Sequence, residues 1–168
     1  MSVEQVKGLR ELKAALETLP EKIARNVMRG AMRAGAKVIQ TEAKHTSGFV
    51  DHTGTLRKSL HVSTRAKGTK VMASVSAGRT KKSKRAFYAV MVEKGTKAHV
   101  IKAKPGHALG FGPVSVVHHP GARAHPFMGP AFDASNRQAI AAVAAYIRQR
   151  LATQHGINVP APMEEGDE

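Results

Sequence analysis

The stretch Pro20-Glu21-Lys22-Ile23-Ala24-Arg25-Asn26-Val27-Met28-Arg29-Gly30-Ala31-Met32-Arg33-Ala34-Gly35-Ala36-Lys37-Val38-Ile39 decides the fold. Ile23, Val27, Ala31, Ala34 and Val38 recur at helical spacing, with Ala24, Met28 and Ile39 beside them, so one face of a long helix is apolar. Pro20 suits the entry to such a helix, and Glu21 suits the positive end of its dipole. The opposite face carries Lys22, Arg25, Arg29, Arg33 and Lys37. Gly30, Ala31, Ala34, Gly35 and Ala36 put small residues in mid-helix, where each glycine costs about 1 kcal/mol of helix propensity. That cost points to the close approach of another backbone, from the same chain or from a neighbouring subunit.

Upstream, Leu9, Leu12, Leu16 and Leu19 predict a short amphipathic helix over residues 8–19, broken by Pro20. Downstream, residues 45–55 are rich in Gly, Thr and Ser and end the long helix near Lys44. Leu60, Val62 and Thr64, then Val71, Ala73, Val75 and Ala77, alternate with polar residues around Lys67-Gly68, the pattern of a hairpin. Residues 79–85 hold five cations in seven positions and predict a mobile loop. The apolar run 86–92 is too short to choose between a helical turn and a strand. Residues 98–103 and 113–118 predict further strands, joined by a Gly-rich connection at 104–112.

A last helix is expected over residues 129–152, with Ala139, Ile140, Val143, Ala144, Ile147 and Leu151 as its stripe and Gly156 just past its end. Two helices, a strand-rich middle and one helix give an α+β class: an antiparallel sheet of about four strands against the long helix and the C-terminal helix, with extended loops. No internal repeat is present. Residues 1–155 are expected to form one domain, and 156–168, with two prolines and four acids, a disordered acidic tail.

The 168 residues contain no Cys and no Trp, two Tyr and five Phe, and much of the apolar content is Ala. Small side chains bury little area each, so contact with neighbouring subunits would add stability. The absence of Cys excludes disulfides and thiolate chemistry. No run approaches the length of a membrane span, no secretory signal is evident at Met1-Ser2-Val3-Glu4, and no membrane partner is expected. Net charge is +15 and pI about 10.6, even though Glu164, Glu165, Asp167 and Glu168 crowd one segment. Such a field attracts polyanions.

No active-site constellation is evident, and the chain is not expected to be an enzyme. His118, His119 and His125 lie close in sequence, but no Cys or carboxylate pair joins them, so no metal or other cofactor is expected. Asp51 suits a turn or cap. Lys94-Gly95-Thr96 lacks the upstream glycine of a phosphate loop. With seven aromatic residues there is little material for stacking bases, which leaves sequence-independent attraction to phosphate through Arg25, Arg29, Arg33 and Lys37 and through Lys81, Lys82, Lys84 and Arg85. A sequence-independent nucleic-acid-binding protein is therefore the alternative reading.

Three segments carry a resemblance. They are Val50-Asp51-His52-Thr53-Gly54-Thr55-Leu56-Arg57-Lys58-Ser59-Leu60, then Tyr88-Ala89-Val90-Met91-Val92-Glu93-Lys94-Gly95-Thr96, then His119-Pro120-Gly121 with Ala124-His125-Pro126-Phe127-Met128-Gly129-Pro130-Ala131-Phe132. In this order, across residues 8–152, they resemble the tail-completion or neck (head–tail joining) proteins of long-tailed bacteriophages. The residues suggest structural roles: Thr53-Gly54 as a turn into the first strand, Leu56 and Leu60 as core anchors, and Arg57 and Lys58 facing outward. Glu93 is expected in a salt bridge with an arginine of this or the next subunit, and Gly95 is expected to end the element around Tyr88. Pro126-Phe127 would plug the last helix into the core, with Phe127 and Phe132 supplying apolar area. The resemblance implies a virion protein, assembled in the host cytoplasm, that forms a homo-oligomeric ring of six copies. Its partners would be a head-closure or connector protein and a tail terminator or tail tube protein, with DNA passing through the lumen.

Overall fold

The computed structural model describes residues 9–78, 86–104, 107 and 115–159. Helix α1 spans Leu9–Glu17 and α2 spans Glu21–His45, with Pro20 between them in extended backbone. A five-residue helix α3, Thr55–Ser59, precedes strands β1, His61–Lys67, and β2, Lys70–Ser76. Helix α4, Ala89–Lys94, then leads to β3, His99–Lys102, and β4, Val116–His119, before the long helix α5, Met128–His155. The run 86–92, ambiguous by periodicity, is thus a turn entering a helix.

The packing of α2 on α5 answers the question its small residues raised. Ala43 shares a buried cluster with Ala131, while Val27 and Ala31 share another with Ile147 and Leu151. As residue numbers fall along α2 they rise along α5, so the two helices run antiparallel. Between these ends, a Cβ on Gly35 would lie 2.7 Å from Val143 Cγ2 and 2.9 Å from the Ala139 carbonyl oxygen, and one on Gly30 would enter the Tyr146 ring. The close neighbour is α5 of the same chain. Leu12 of α1 closes the second cluster, and Ile157 and Val159, within the segment expected to be disordered, pack back onto it. Residues 160–168 lie outside the described residues.

The fold is α+β with four strands, divided among the described residues into two antiparallel pairs rather than joined in one sheet. Strands β1 and β2 pair from His61↔Ser76 to Lys67↔Lys70 around Gly68, whose φ is +57°. Val62, Thr64, Ala66, Val71, Ala73 and Val75 turn inward, and the pair packs against α2. Gln40 of α2 donates to the Leu60 carbonyl at 2.7 Å, tying the helix to the strand entry. Strands β3 and β4 pair from His99↔His119 to Lys102↔Val116. What divides the sheets is the chain between β2 and β3: α4 takes it to the first core cluster, where Ala86 and Ala89 are buried.

Candidate functional site

The three segments of the resemblance converge in space. Leu56 and Leu60 from the first with Phe49 just ahead of it, Ala86 and Ala89 around the second, and Phe127 and Ala131 from the third fill one core with Ala43 of α2, and Tyr88 packs against it. The Phe49 and Phe127 rings sit 4.7 Å apart, tilted by 49°.

The first segment is built around Asp51. Its Oδ2 accepts the Arg57 N–H at 2.8 Å, and its carbonyl accepts the Gly54 N–H at 3.4 Å, so it has the capping role expected of it. Thr53 Oγ1 accepts from the Thr55 N–H, and Gly54 takes φ +66° as the N-cap of α3. The turn therefore enters a helical turn before the strand, where a direct entry was expected.

Arg57 corrects another expectation. Rather than facing outward it is half-buried: its guanidinium donates to the carbonyls of Lys44 and Thr46, the latter at 3.0 Å, and lies 4.7 Å over the Phe49 ring. The α2 C-terminus leaves carbonyls without intrahelical partners, and Arg57 satisfies one of them there while adding a cation–π contact. Lys58 is exposed, as expected.

Glu93 is clearer still. An ion pair was expected, but the carboxylate caps α5. Its Oε2 accepts the N–H groups of Phe127 at 2.8 Å and Met128 at 3.0 Å, and its Oε1 accepts that of Gly129 at 3.3 Å. A helix begins with four N–H groups lacking intrahelical partners. Here Glu93 takes three, and Pro130, which has no N–H, supplies no fourth. The positive end of the helix dipole meets a negative charge at the same point. Adjacent bonds extend the clasp: His125 N–H donates to the Val92 carbonyl at 2.8 Å, and Thr96 and Ala122 exchange bonds of 2.9 and 3.0 Å. Gly95, at φ +69° and ψ −175°, ends α4 as expected, and a Cβ there would lie 2.6 Å from the Ala122 oxygen.

Phe127 is 1% exposed, whereas Phe132, expected with it to supply apolar area, is 52% exposed. Helical phase explains the difference, because the buried line of α5 runs through Ala131, Ser135 and Ala139 and leaves Phe132 on its flank. Phe132 lines a groove of about 370 Å³ with Met32, Ile39, Ala73, Ile140 and Val143. A second apolar surface lies around α4, where Phe87, Val90 and Met91 are 66, 62 and 48% exposed. A cleft of about 320 Å³ beside it is lined by Phe49, Val50, Met91, Val92, Ala122, Arg123 and His125. The two cavities share no lining residue. Pro126 is exposed next to the buried Phe127.

Of the cationic residues, Lys22, Arg29, Arg33 and Lys37 are exposed along α2, while Arg25 is partly covered and pairs with Glu21 one turn before it. Lys81, Lys82, Lys84 and Arg85 lie outside the described residues. His119 stacks on His99 at 5.0 Å and accepts the Gly121 N–H on Nδ1, while His118 and His125 are exposed. Among the described residues no three His, Asp or Glu side chains group around a point that could hold a metal ion.

Residues 10–95 match the family model described as "Bacteriophage HK97-gp10, putative tail-component". The chain belongs to the HK97-gp10-like family of phage tail components. The match runs from the second residue of α1 through α4, ends two residues past Glu93, and includes the first converging segment and all but the last residue of the second. No curated protein and no solved structure matches the chain. Family membership makes it a structural component of the phage tail, a virion protein whose contacts are with other virion proteins. It agrees with the resemblance drawn from the sequence.

Proposed function

We propose that this tail component completes the tail at its head-proximal end, as a neck protein in a closed ring of six copies that joins tail to head and lets DNA pass. The observation that carries the reading is the pair of unlike apolar surfaces on one subunit. The ridge of Phe87, Val90 and Met91 and the groove lined by Phe132, Ile140 and Met32 are separate, and both are open. A head-to-tail ring requires two different complementary faces on each subunit, and exposed apolar patches of this kind mark association surfaces.

Residues 1–155 act as the single domain of that ring. The head-facing partner is a head-closure or connector protein, and the tail-facing partner a tail terminator or tail tube protein. Arg25, Arg29, Arg33 and Lys37 offer a basic column to DNA in the lumen, and Lys81, Lys82, Lys84 and Arg85 add charge of the same sign, so that phosphate is attracted without any reading of bases. Deleting the gene in a lysogen tests the reading: tailless heads and unattached tails should accumulate together, and complementation should rejoin them. Normal particles from the deletion strain would overturn it.

A further inference from the structure

The groove beside Phe132 does not end there. Val143 of α5 lines both it and a second cavity of about 750 Å³, so the two form one trough. Its floor is α2 from Ile39 to Ala24, about 22 Å along the helix axis. Ile140 and Ile147 of α5 make one wall, and Val71 and Ala73 of β2 make the other. Among the described residues β1 lines neither cavity, so β2 is the strand at the rim, and its outer edge pairs with no strand. Sheet edges are ordinarily blunted by charge, proline or a bulge. Strand β1 carries Arg65 and Lys67, but Val71-Met72-Ala73-Ser74-Val75-Ser76 has neither charge nor proline, and its pairing with β1 is regular.

The ribbon of β3 and β4 is the opposite case. Neither strand packs extensively on any other described helix or strand, and a two-stranded ribbon by itself is marginal in water. The Thr96↔Ala122 bridge anchors its base at the α4 clasp, which carries it beside the ridge of Phe87, Val90 and Met91. One face bears Val100 and Val116, 47 and 42% exposed. Of its two edges β3 carries Lys102, whereas β4, Val116-Val117-His118-His119, has no Lys, Arg or Pro. Four residues of strand cover about 14 Å, the length of the rim from Thr69 to Ala73. Charge favours the same seat. No acid occurs between Glu93 and Asp133, so the ribbon is a basic arm, repelled by the outer face of α2 and by the cleft at Arg123 and His125. The trough instead holds Glu17 and Glu21, which balance Lys13 and Arg25 at its α1 end.

We propose that β4 of a second copy pairs with the free edge of β2, with Val100 and Val116 turned to the floor of the trough, so that one sheet runs β1, β2 in one subunit and β4, β3 in the next. This rests on the head-to-tail ring proposed above: the neighbour's ridge fills the groove at Phe132, and its ribbon, which starts at the same clasp, fills the continuation. Main-chain bonds along the added strand supply affinity, and the valines fix its register. The four-stranded sheet expected within one chain is completed between two.

The chain has no cysteine, so paired substitutions can be cross-linked in purified particles with a short bis-maleimide. Thr69→Cys combined with Val116→Cys, or with His118→Cys, reports the ribbon; Val90→Cys combined with Phe132→Cys reports the ridge and groove. All five positions are exposed. The ribbon pairs should give dimers and larger multiples of the chain, and each single substitution none. Products from the ridge pair without products from the ribbon pairs overturn the strand pairing and leave the ring standing. Ribbon-pair multiples without ridge-pair products support the strand pairing and overturn the seat of the ridge. Ribbon-pair products confined to one chain, or joined to a different virion protein, overturn the proposal, and products from neither pair overturn both readings. Val116→Glu, which would set an unpaired carboxylate against the apolar floor, should leave unfolding of the subunit unchanged and reduce incorporation into particles roughly tenfold or more. Native levels of incorporation would overturn the proposal.

Discussion

Replacing Glu93 with Ala removes a carboxylate 34 to 36 residues distant from the three N–H groups it accepts. Water can take over the exposed Gly129 bond, so the loss concentrates on Phe127 and Met128, whose bonds are partly buried. Each such bond contributes about 1–1.5 kcal/mol net, and the charge at the dipole adds about 0.3–1 kcal/mol. The expected destabilisation is therefore about 2–4 kcal/mol, which for a chain of this size lowers the melting temperature on the order of 10 °C. Urea and thermal unfolding followed by far-ultraviolet circular dichroism measure it. Glu93→Gln keeps one acceptor oxygen but loses the charge and turns an amide N–H toward the helix end, so it should fall between Ala and the native residue. A Glu93→Ala variant within about 0.5 kcal/mol of the native chain, the range of an ordinary surface change, would refute the capping argument.

Four further outcomes follow from the same geometry. Gly35→Ala should destabilise, because overpacking at the α2–α5 contact costs about 1–3 kcal/mol against a propensity gain of about 1 kcal/mol; denaturant titration decides the sign. Gly95→Ala should cost at least about 1–3 kcal/mol for its φ and ψ alone, whereas Gly68→Asn, with φ +57° and open space around it, should unfold at nearly the native denaturant concentration. Phe127→Ala should lose about 3–5 kcal/mol, while Phe132→Ala should leave subunit unfolding almost unchanged and reduce incorporation into particles, read by blotting purified virions. Arg57→Lys should destabilise more than Lys58→Ala, because an ammonium cannot reproduce the fork that reaches two carbonyls over the Phe49 ring; parallel unfolding curves compare them.

Much of the scaffold was legible because its signals are local. The period of Ile23, Val27 and Ala31, the break at Pro20 and the turn at Gly68 each lie within a few residues of what they determine. The small residues of α2 announced a close approach, but only the fold could name Tyr146, Val143 and Ala139 as the neighbours. The five residues of α3 were hidden because one helical turn is shorter than any period that would reveal it.

Glu93 was misassigned for a physical reason: a carboxylate in basic surroundings suggests an ion pair, and its true partners are backbone groups far along the chain. A clue was nonetheless present. Helix α5 opens with Phe127-Met128-Gly129-Pro130, with no side-chain cap of its own and no acid in its first turn, so its N–H groups required an acceptor from elsewhere. The apolar area expected of Phe132 is present but faces outward, because the residue lies one position off the buried line through Ala131, Ser135 and Ala139. Arg57 was placed outward because charge was weighed without the free carbonyls at the end of α2.

The most direct measurement is an electron cryo-microscopy map of the intact phage at the junction of head and tail. The account predicts six copies of this chain in one closed ring there, with the ridge at Phe87, Val90 and Met91 of each subunit seated against the groove at Phe132 and Ile140 of the next. A particle in which this chain is absent, or lies at the junction as isolated single copies, would contradict it.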